Sequence, residues 1–145
     1  MADYFTNFSV LVPLKEPAHQ QYALDLASKA TACRFLDNQE QMSAELPPTL
    51  LDVLEDWNFE TTSDEDNSIW LHSDSGGTDA ACAFIQHLLQ RFHLTERVAF
   101  EWSHDCSKPR LDAYGGGAAI ITAEKIISMN TSLWLQQQAA THNNK

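Results

Sequence analysis

The densest cluster of reactive side chains in this sequence is Trp102-Ser103-His104-Asp105-Cys106-Ser107-Lys108-Pro109-Arg110, followed shortly by Gly115-Gly116-Gly117. A thiol surrounded by imidazole, ammonium and guanidinium groups is biased toward thiolate, and the thiolate is the nucleophilic form. On that chemistry Cys106 is the candidate nucleophile and His104 the candidate base. Lys108 and Arg110 are candidates to hold an anionic group against the backbone amides of Gly115, Gly116 and Gly117. The spacing is less suggestive than the composition. No G-x-x-x-x-G-K-[ST] phosphate loop occurs, and Cys106 to Arg110 is shorter than the C-x5-R loop of a thiol phosphatase. A nucleophile needs its base at about 3 Å, which adjacency along the chain does not supply. The simpler reading is a structured loop in which Pro109 fixes a turn and the glycines let strands pack closely.

Metal ligation has less support. His72 and Asp74 fall at the end of one expected strand, and His104, Asp105 and Cys106 at the end of another. These are hard and borderline ligands, but no pair matches a C-x2-C or H-E-x-x-H spacing. Asp64-Glu65-Asp66-Asn67 has the composition of a calcium-loop fragment and lacks its alternation and its distal Glu. No metal and no cofactor is assigned. Cys33, Cys82 and Cys106 are odd in number and widely spaced, so they read as free thiols of a reducing compartment. Cys33 and Cys82 fall on apolar helix faces as small core residues.

The second feature is electrostatic. Between Arg34 and Arg91 there is no Lys or Arg, while twelve Asp and Glu occur. The chain as a whole is −11, residues 35–90 are −12, and the remainder is +1. Phosphate neutralisation needs Lys and Arg, so this balance argues against direct nucleic-acid binding and against an anionic membrane surface. It favours a basic protein as partner. The candidate partner-binding residues are Asp52, Glu55, Asp56, Glu60, Asp64, Glu65, Asp66 and the neighbouring aromatic Trp70. Asp37, Glu40 and Glu45 lie in the preceding loop, and Asp74 and Asp79 flank a helix start where the dipole favours them.

These residues must be carried by a fold that 145 residues with 43% apolar content can build as one domain, residues 1–145. No segment has the roughly 18–20 apolar residues of a membrane span, and Met1-Ala2-Asp3-Tyr4 lacks the basic and apolar regions of a leader, so the sequence reads as cytoplasmic. Phe8–Val12 reads as a strand ended by Pro13. Pro17 opens a helix to about Phe35, with Tyr22, Leu26, Ala30 and Cys33 on one stripe. A polar loop over 37–50 leads to a short helix, Thr49–Glu55. Trp57, Phe59 and Thr61 alternate into a hairpin whose turn is Asp64–Asn67 and whose return is Ile69–Leu71. Thr78 or Ser75 caps the strongest helix, in which Ala81, Phe84, Ile85, Leu88, Leu89 and Phe92 follow the 3.6-residue period. His87 and His93 fall beside that stripe as surface residues. Val98, Phe100 and Trp102 alternate as a strand, Ser103–Tyr114 is a loop, and Ala118–Ile121 is a short strand. Thr122 caps a last helix carrying Ile126, Ile127, Met129, Leu133 and Trp134, with a break near Asn130 and a fraying tail from Gln136.

The order is β-α-β-β-α-β, then one more strand and a helix. That is α+β, with a ferredoxin-like core extended at its C-terminal end. Right-handed crossovers put both long helices on one sheet face.

Phe100-Glu101-Trp102, Cys106-Ser107-Lys108-Pro109-Arg110, Tyr114-Gly115-Gly116-Gly117-Ala118 and Thr122-Ala123 together resemble the C-terminal half of small uncharacterised proteins of bacteria, phages and plasmids. The resemblance covers about residues 97–135. It implies a bacterial or mobile-element origin and carries no catalytic or binding residue across.

Three functions follow as expectations. The first is a small acidic binding or inhibitory protein that docks its loop-and-hairpin patch on a basic partner. The second is a small enzyme or anionic-ligand domain using the Trp102–Gly117 loop. The third is a subunit of a homo-oligomer, joined through sheet edges or open faces.

Overall fold

A computed structural model describes residues 2–35, 45–111 and 113–143. The strands are β1 (Tyr4–Val12), β2 (Glu60–Ser63), β3 (Ile69–Ser73), β4 (Val98–Cys106), β5 (Gly115–Ile121) and β6 (Ile126–Asn130). The helices are α1 (Pro17–Phe35), α2 (Pro48–Leu51), α3 (Thr78–Arg91) and α4 (Thr131–Asn143), with 3₁₀ turns at Leu54–Asp56 and Glu65–Asn67. All six strands join one sheet in the order β2-β3-β1-β4-β5-β6. Every neighbouring pair is antiparallel. The architecture is therefore α+β with a six-stranded antiparallel sheet, wider than the four strands of a plain ferredoxin sheet.

Alternation along the strands decides what each sheet face does. Phe8, Val10 and Val12 of β1, Ile69 and Leu71 of β3, and Val98 and Phe100 of β4 are buried. They share one cluster with Ala23, Leu26, Ala27, Ala30 and Cys33 of α1 and with Ala81, Phe84, Ile85, Leu88 and Leu89 of α3. Both long helices thus cover the same face. Trp57 seals the cluster, with its ring 4.8 Å from Phe59 and 5.2 Å from Phe84. The residues of opposite parity, including Leu11, Trp70 and Ile120, lie exposed on the face opposite α1 and α3.

Several expected elements shift. β1 begins four residues before Phe8, and β4 runs on to Cys106, because the two pair from Tyr4↔Cys106 to Phe8↔Trp102. His104, Asp105 and Cys106 therefore stand on a strand, not in a loop, and Gly115–Gly117 open β5. The expected short helix divides into α2 and the 3₁₀ turn at Leu54–Asp56. Asp37 and Glu40 lie outside the described residues.

Neither Thr78 nor Ser75 caps α3. Its N-cap is Gly77 at φ +90°, with no side-chain cap. The Asp56 carboxylate accepts the Ala80 amide at 3.0 Å in the cap's stead. The largest correction is at the C-terminal end. Thr122 closes a turn, its Oγ1 accepting the Lys125 amide at 3.1 Å and its own amide donating to the Lys125 carbonyl at 2.9 Å. The following residues are strand β6, not helix, paired with β5 from Ile121↔Ile126 to Gly117↔Asn130. Adjacent β-branched residues suit a strand, and β5 offers a ladder to join. The helix begins only at Thr131, where Asn130 Oδ1 accepts the Leu133 amide at 2.7 Å. It continues to Asn143, through the segment expected to fray. Among the described residues no helix is long and apolar enough to cross a membrane.

Candidate functional site

The β2–β3 hairpin is built to hold a tight turn that projects acids. Asp66 and Asn67 take left-handed backbone (φ +57° and +65°), which Asp and Asn tolerate better than most residues. The Asp64 amide donates to the Ser68 carbonyl at 2.9 Å, and the Asp64 carboxylate accepts the Glu65 amide at 2.8 Å. Gln20 of α1 fastens the turn from outside, its Nε2 donating to the Asp64 carbonyl at 3.0 Å and the Ser68 carbonyl at 2.8 Å. With its backbone tied on both sides, the turn leaves the side chains of Asp64, Glu65 and Asp66 exposed.

Trp70 stands beside this turn on the face opposite α1 and α3, 40% exposed. Its indole Nε1 donates to Ser9 Oγ at 2.7 Å, and its ring stacks on His72 with centroids 3.9 Å apart. The register puts Leu11, 49% exposed, directly opposite Trp70 on β1 and Thr62 opposite it on β2. Glu60 faces His72 across the hairpin, Oε2 to Nε2 3.6 Å. One shallow groove of about 470 Å³ is lined by Ser9, Leu11, Ser63, Asp64 and Trp70. Another, of about 390 Å³, is lined by Asn58, Glu60, His72, Ser73, Asp74 and Ser75. The indole is thus held by two contacts, bordered by apolar Leu11 and flanked by carboxylates. Such a ring presents its negative face to a cation, and the nearby acids strengthen that attraction.

The structure divides the remaining acids. Asp52 and Glu55 are exposed on the segment before β2. Asp56 is half-buried and engaged at the start of α3. It also acts inside the fold: burial first, then the Asp79 and Asp56 carboxylates, push the Cys82 thiol up to about 12. Cys82 is accordingly an inert core thiol, and Cys33 is buried in the core.

The Trp102–Gly117 segment does a different job. His104 is half-buried, its Nδ1 2.8 Å from Thr6 Oγ1. Cys106 is half-exposed at the strand end, where Asp3 and Ser107 tie β1 to β4 through bonds of 2.8 and 2.9 Å. Lys108 and Arg110 are exposed in the turn beyond. Gly115, Gly116 and Gly117 lie inside the sheet between β4 and β6, and the Gly116 amide donates to Thr131 Oγ1 at 3.0 Å. A Cβ on Gly117 would overlap the Trp102 indole and the Met129 carbonyl. The glycine run therefore lets an indole lie on bare backbone. A groove of about 340 Å³ passes Glu101, Trp102, the three glycines, Ala118, Met129 and Thr131. None of Cys106, His104, Lys108 and Arg110 lines it. Among the described residues no group of three or more His, Cys, Asp or Glu side chains is placed to hold a metal ion.

Compared with known protein families, with curated proteins and with solved structures, the chain matches none. Its own geometry must carry the functional argument.

Sequence reasoning singled out Trp70 but missed Leu11, Ser9 and the Glu60–His72 pair that complete its surroundings. One signal was present: Leu11 is apolar at a position where the alternation of β1 calls for a polar residue. Which residue it faces is set by pairing with β3, some 60 positions away in sequence.

Proposed function

We propose that this chain is a small binding protein that docks the acidic β2–β3 edge of its sheet on a basic partner, with Trp70 as the anchor. The observation that carries this reading is the tethered, 40% exposed indole of Trp70 in a stretch without Lys or Arg, with Asp64 lining its groove and Glu60 paired to the His72 on which it stacks. An aromatic anchor ringed by like charges has the anatomy of a hot spot. Long-range attraction to a basic surface makes such an association fast. A basic protein surface that receives nucleic acid offers this complement, and the chain inhibits when it occupies that surface. The odd number and wide spacing of the cysteines and the acidic balance support a cytoplasmic setting. A ferredoxin-like reading of the core is supported by the order β2-β3-β1-β4 among the first four strands, with β5 and β6 added beyond β4.

The test is a fluorescence titration with an oligo-arginine peptide, repeated on a partner captured from the source cell. Binding weakens steeply as salt rises, because exposed charges are screened within about 8–10 Å at physiological ionic strength. Trp70→Ala weakens it at every salt concentration, and Asp64→Asn with Glu65→Gln lowers the association rate. Binding indifferent to salt and to Trp70→Ala overturns the reading.

A further inference from the structure

The far edge of the sheet is unprotected. β6 reads Ile-Ile-Ser-Met-Asn, without a charge or a proline, and pairs with β5 in unbroken register with no bulge. Charges, prolines and bulges are the devices that keep a free edge from pairing with another chain. All five β6 residues are exposed, as is every described side chain of α4. A 13-residue helix that buries none of its described side chains is marginal in water and needs a surface to pack on. Ile126, Ile127, Met129, Leu133, Trp134 and Leu135 are each between 39% and 61% exposed.

Charge selects the occupant. Two copies of a chain at −11 repel each other across most of their surfaces. From Lys125 to Lys145 there is no Asp or Glu. The strand order sets β2, with its acids, at the opposite edge from β6. Five strand spacings of about 4.8 Å separate the two edges by roughly 24 Å, more than twice the screening length of about 8–10 Å. The β6 edge is where like copies meet with least electrostatic cost.

We propose that the chain forms a two-fold symmetric dimer by antiparallel pairing of β6 with β6 of a second copy, Leu133 and Trp134 of each α4 packing against the other. The product is a continuous sheet with an acidic hairpin at each end. It presents two copies of the proposed docking surface facing away from one another. This pairing stands independently of what that surface binds.

Sedimentation equilibrium tests it. The unaltered chain runs at twice its monomer mass, and raising the salt leaves the dimer intact or tightens it. The Ile127→Lys, Met129→Lys double variant and Trp134→Ala each shift the equilibrium toward monomer, with circular dichroism unchanged since these side chains are exposed. Trp70→Ala and Asp64→Asn leave the mass alone. Because Ser128 is the midpoint of β6, full pairing sets it opposite its own copy. Ser128→Cys in a Cys106→Ser background then crosslinks to a dimer on mild oxidation. A monomeric unaltered chain at high concentration overturns the proposal. So does a dimer that survives both the β6 and the α4 variants, one abolished by Trp70→Ala, or one that resists the Ser128→Cys crosslink.

Discussion

At one edge of the sheet, β2 is four residues long, carries Glu60, borders α1 across a groove of about 600 Å³ and leads into a turn of exposed acids. At the other edge, β6 is five uncharged residues that no described residue covers, leading into a helix whose described side chains are all exposed. A charged, short, helix-flanked edge resists strand addition, while a bare apolar one invites it. The two edges also differ inwardly. Behind β2 the core is closed by Trp57 and the Phe59–Phe84 contacts, whereas behind β6 the packing thins to Trp102 lying on glycine backbone. One edge is kept available for a partner of opposite charge, the other for a copy of itself.

The comparison breaks most visibly at its tryptophans. Trp57 is 1% exposed, so Trp57→Ala removes a filled core position. The expected cost is about 3–5 kcal/mol in urea unfolding. Trp134→Ala, made in the Ile127→Lys, Met129→Lys background so that only packing within one chain is read, stays within about 0.5 kcal/mol. Equal costs at the two positions would mean that α4 packs inside the monomer after all. Next in size is Gly117→Ala. The added methyl overlaps the Trp102 indole and the β6 backbone, an overpacking of about 1–3 kcal/mol read in the same assay. A neutral Gly117→Ala would remove the structural account of the glycine run and return those residues to consideration as a ligand cradle.

These outcomes also mark what the sequence could and could not disclose. α1 and α3 were legible because their apolar residues repeat at the helical period, and the hairpin because Asp64–Asn67 has turn chemistry. The five residues from Ile126 were not. A short apolar run fits a helix face and a strand equally well, and only the presence of β5 alongside decides. The same holds for function. Trp70 announces itself as an aromatic among acids, but its neighbour Leu11 is delivered by long-range register. Asp56 looked like one more surface acid, and its bond to the Ala80 amide depends on where α3 starts in space.

That distinction among the acids is itself testable at a smaller scale. Asp56→Ala leaves the start of α3 uncapped and costs about 0.5–2 kcal/mol in thermal or urea unfolding. Asp52→Ala, at an exposed position, stays within about 0.5 kcal/mol and is felt instead in the salt dependence of partner association. If both variants are silent in stability, Asp56 rejoins the docking surface. If both destabilise, the acidic segment serves the fold more than a partner.

The effects confined to the extremes of pH come from α3, whose two ends feel opposite fields. At its start the Cys82 thiol is pushed up to about 12 from an ordinary 9.0, first by burial and then by the Asp79 and Asp56 carboxylates. In its last turns His87 is half-buried, accepts or donates a 2.8 Å bond with the Tyr22 hydroxyl and lies near Arg91. Burial first, then the arginine, lower its pKa from 6.5. A base whose folded pKa is depressed binds protons more readily when unfolded, so its contribution is present near neutrality and is lost as pH falls below 6.5. An acid whose folded pKa is raised favours the folded state while its thiol is neutral, and that contribution is lost as pH rises from 9.0 toward 12, where the unfolded thiol alone ionises. Stability followed across pH therefore falls at both ends. His87→Gln flattens the acid limb only, and Cys82→Ala flattens the alkaline limb only, though at some cost in packing at every pH. If Asp56→Ala in addition draws the alkaline limb toward lower loss, the carboxylate field on Cys82 is confirmed as part of the acidic edge's inward face. An alkaline limb unaltered by both Cys82→Ala and Asp56→Ala would assign that limb to other groups and leave Asp56 as a helix cap alone.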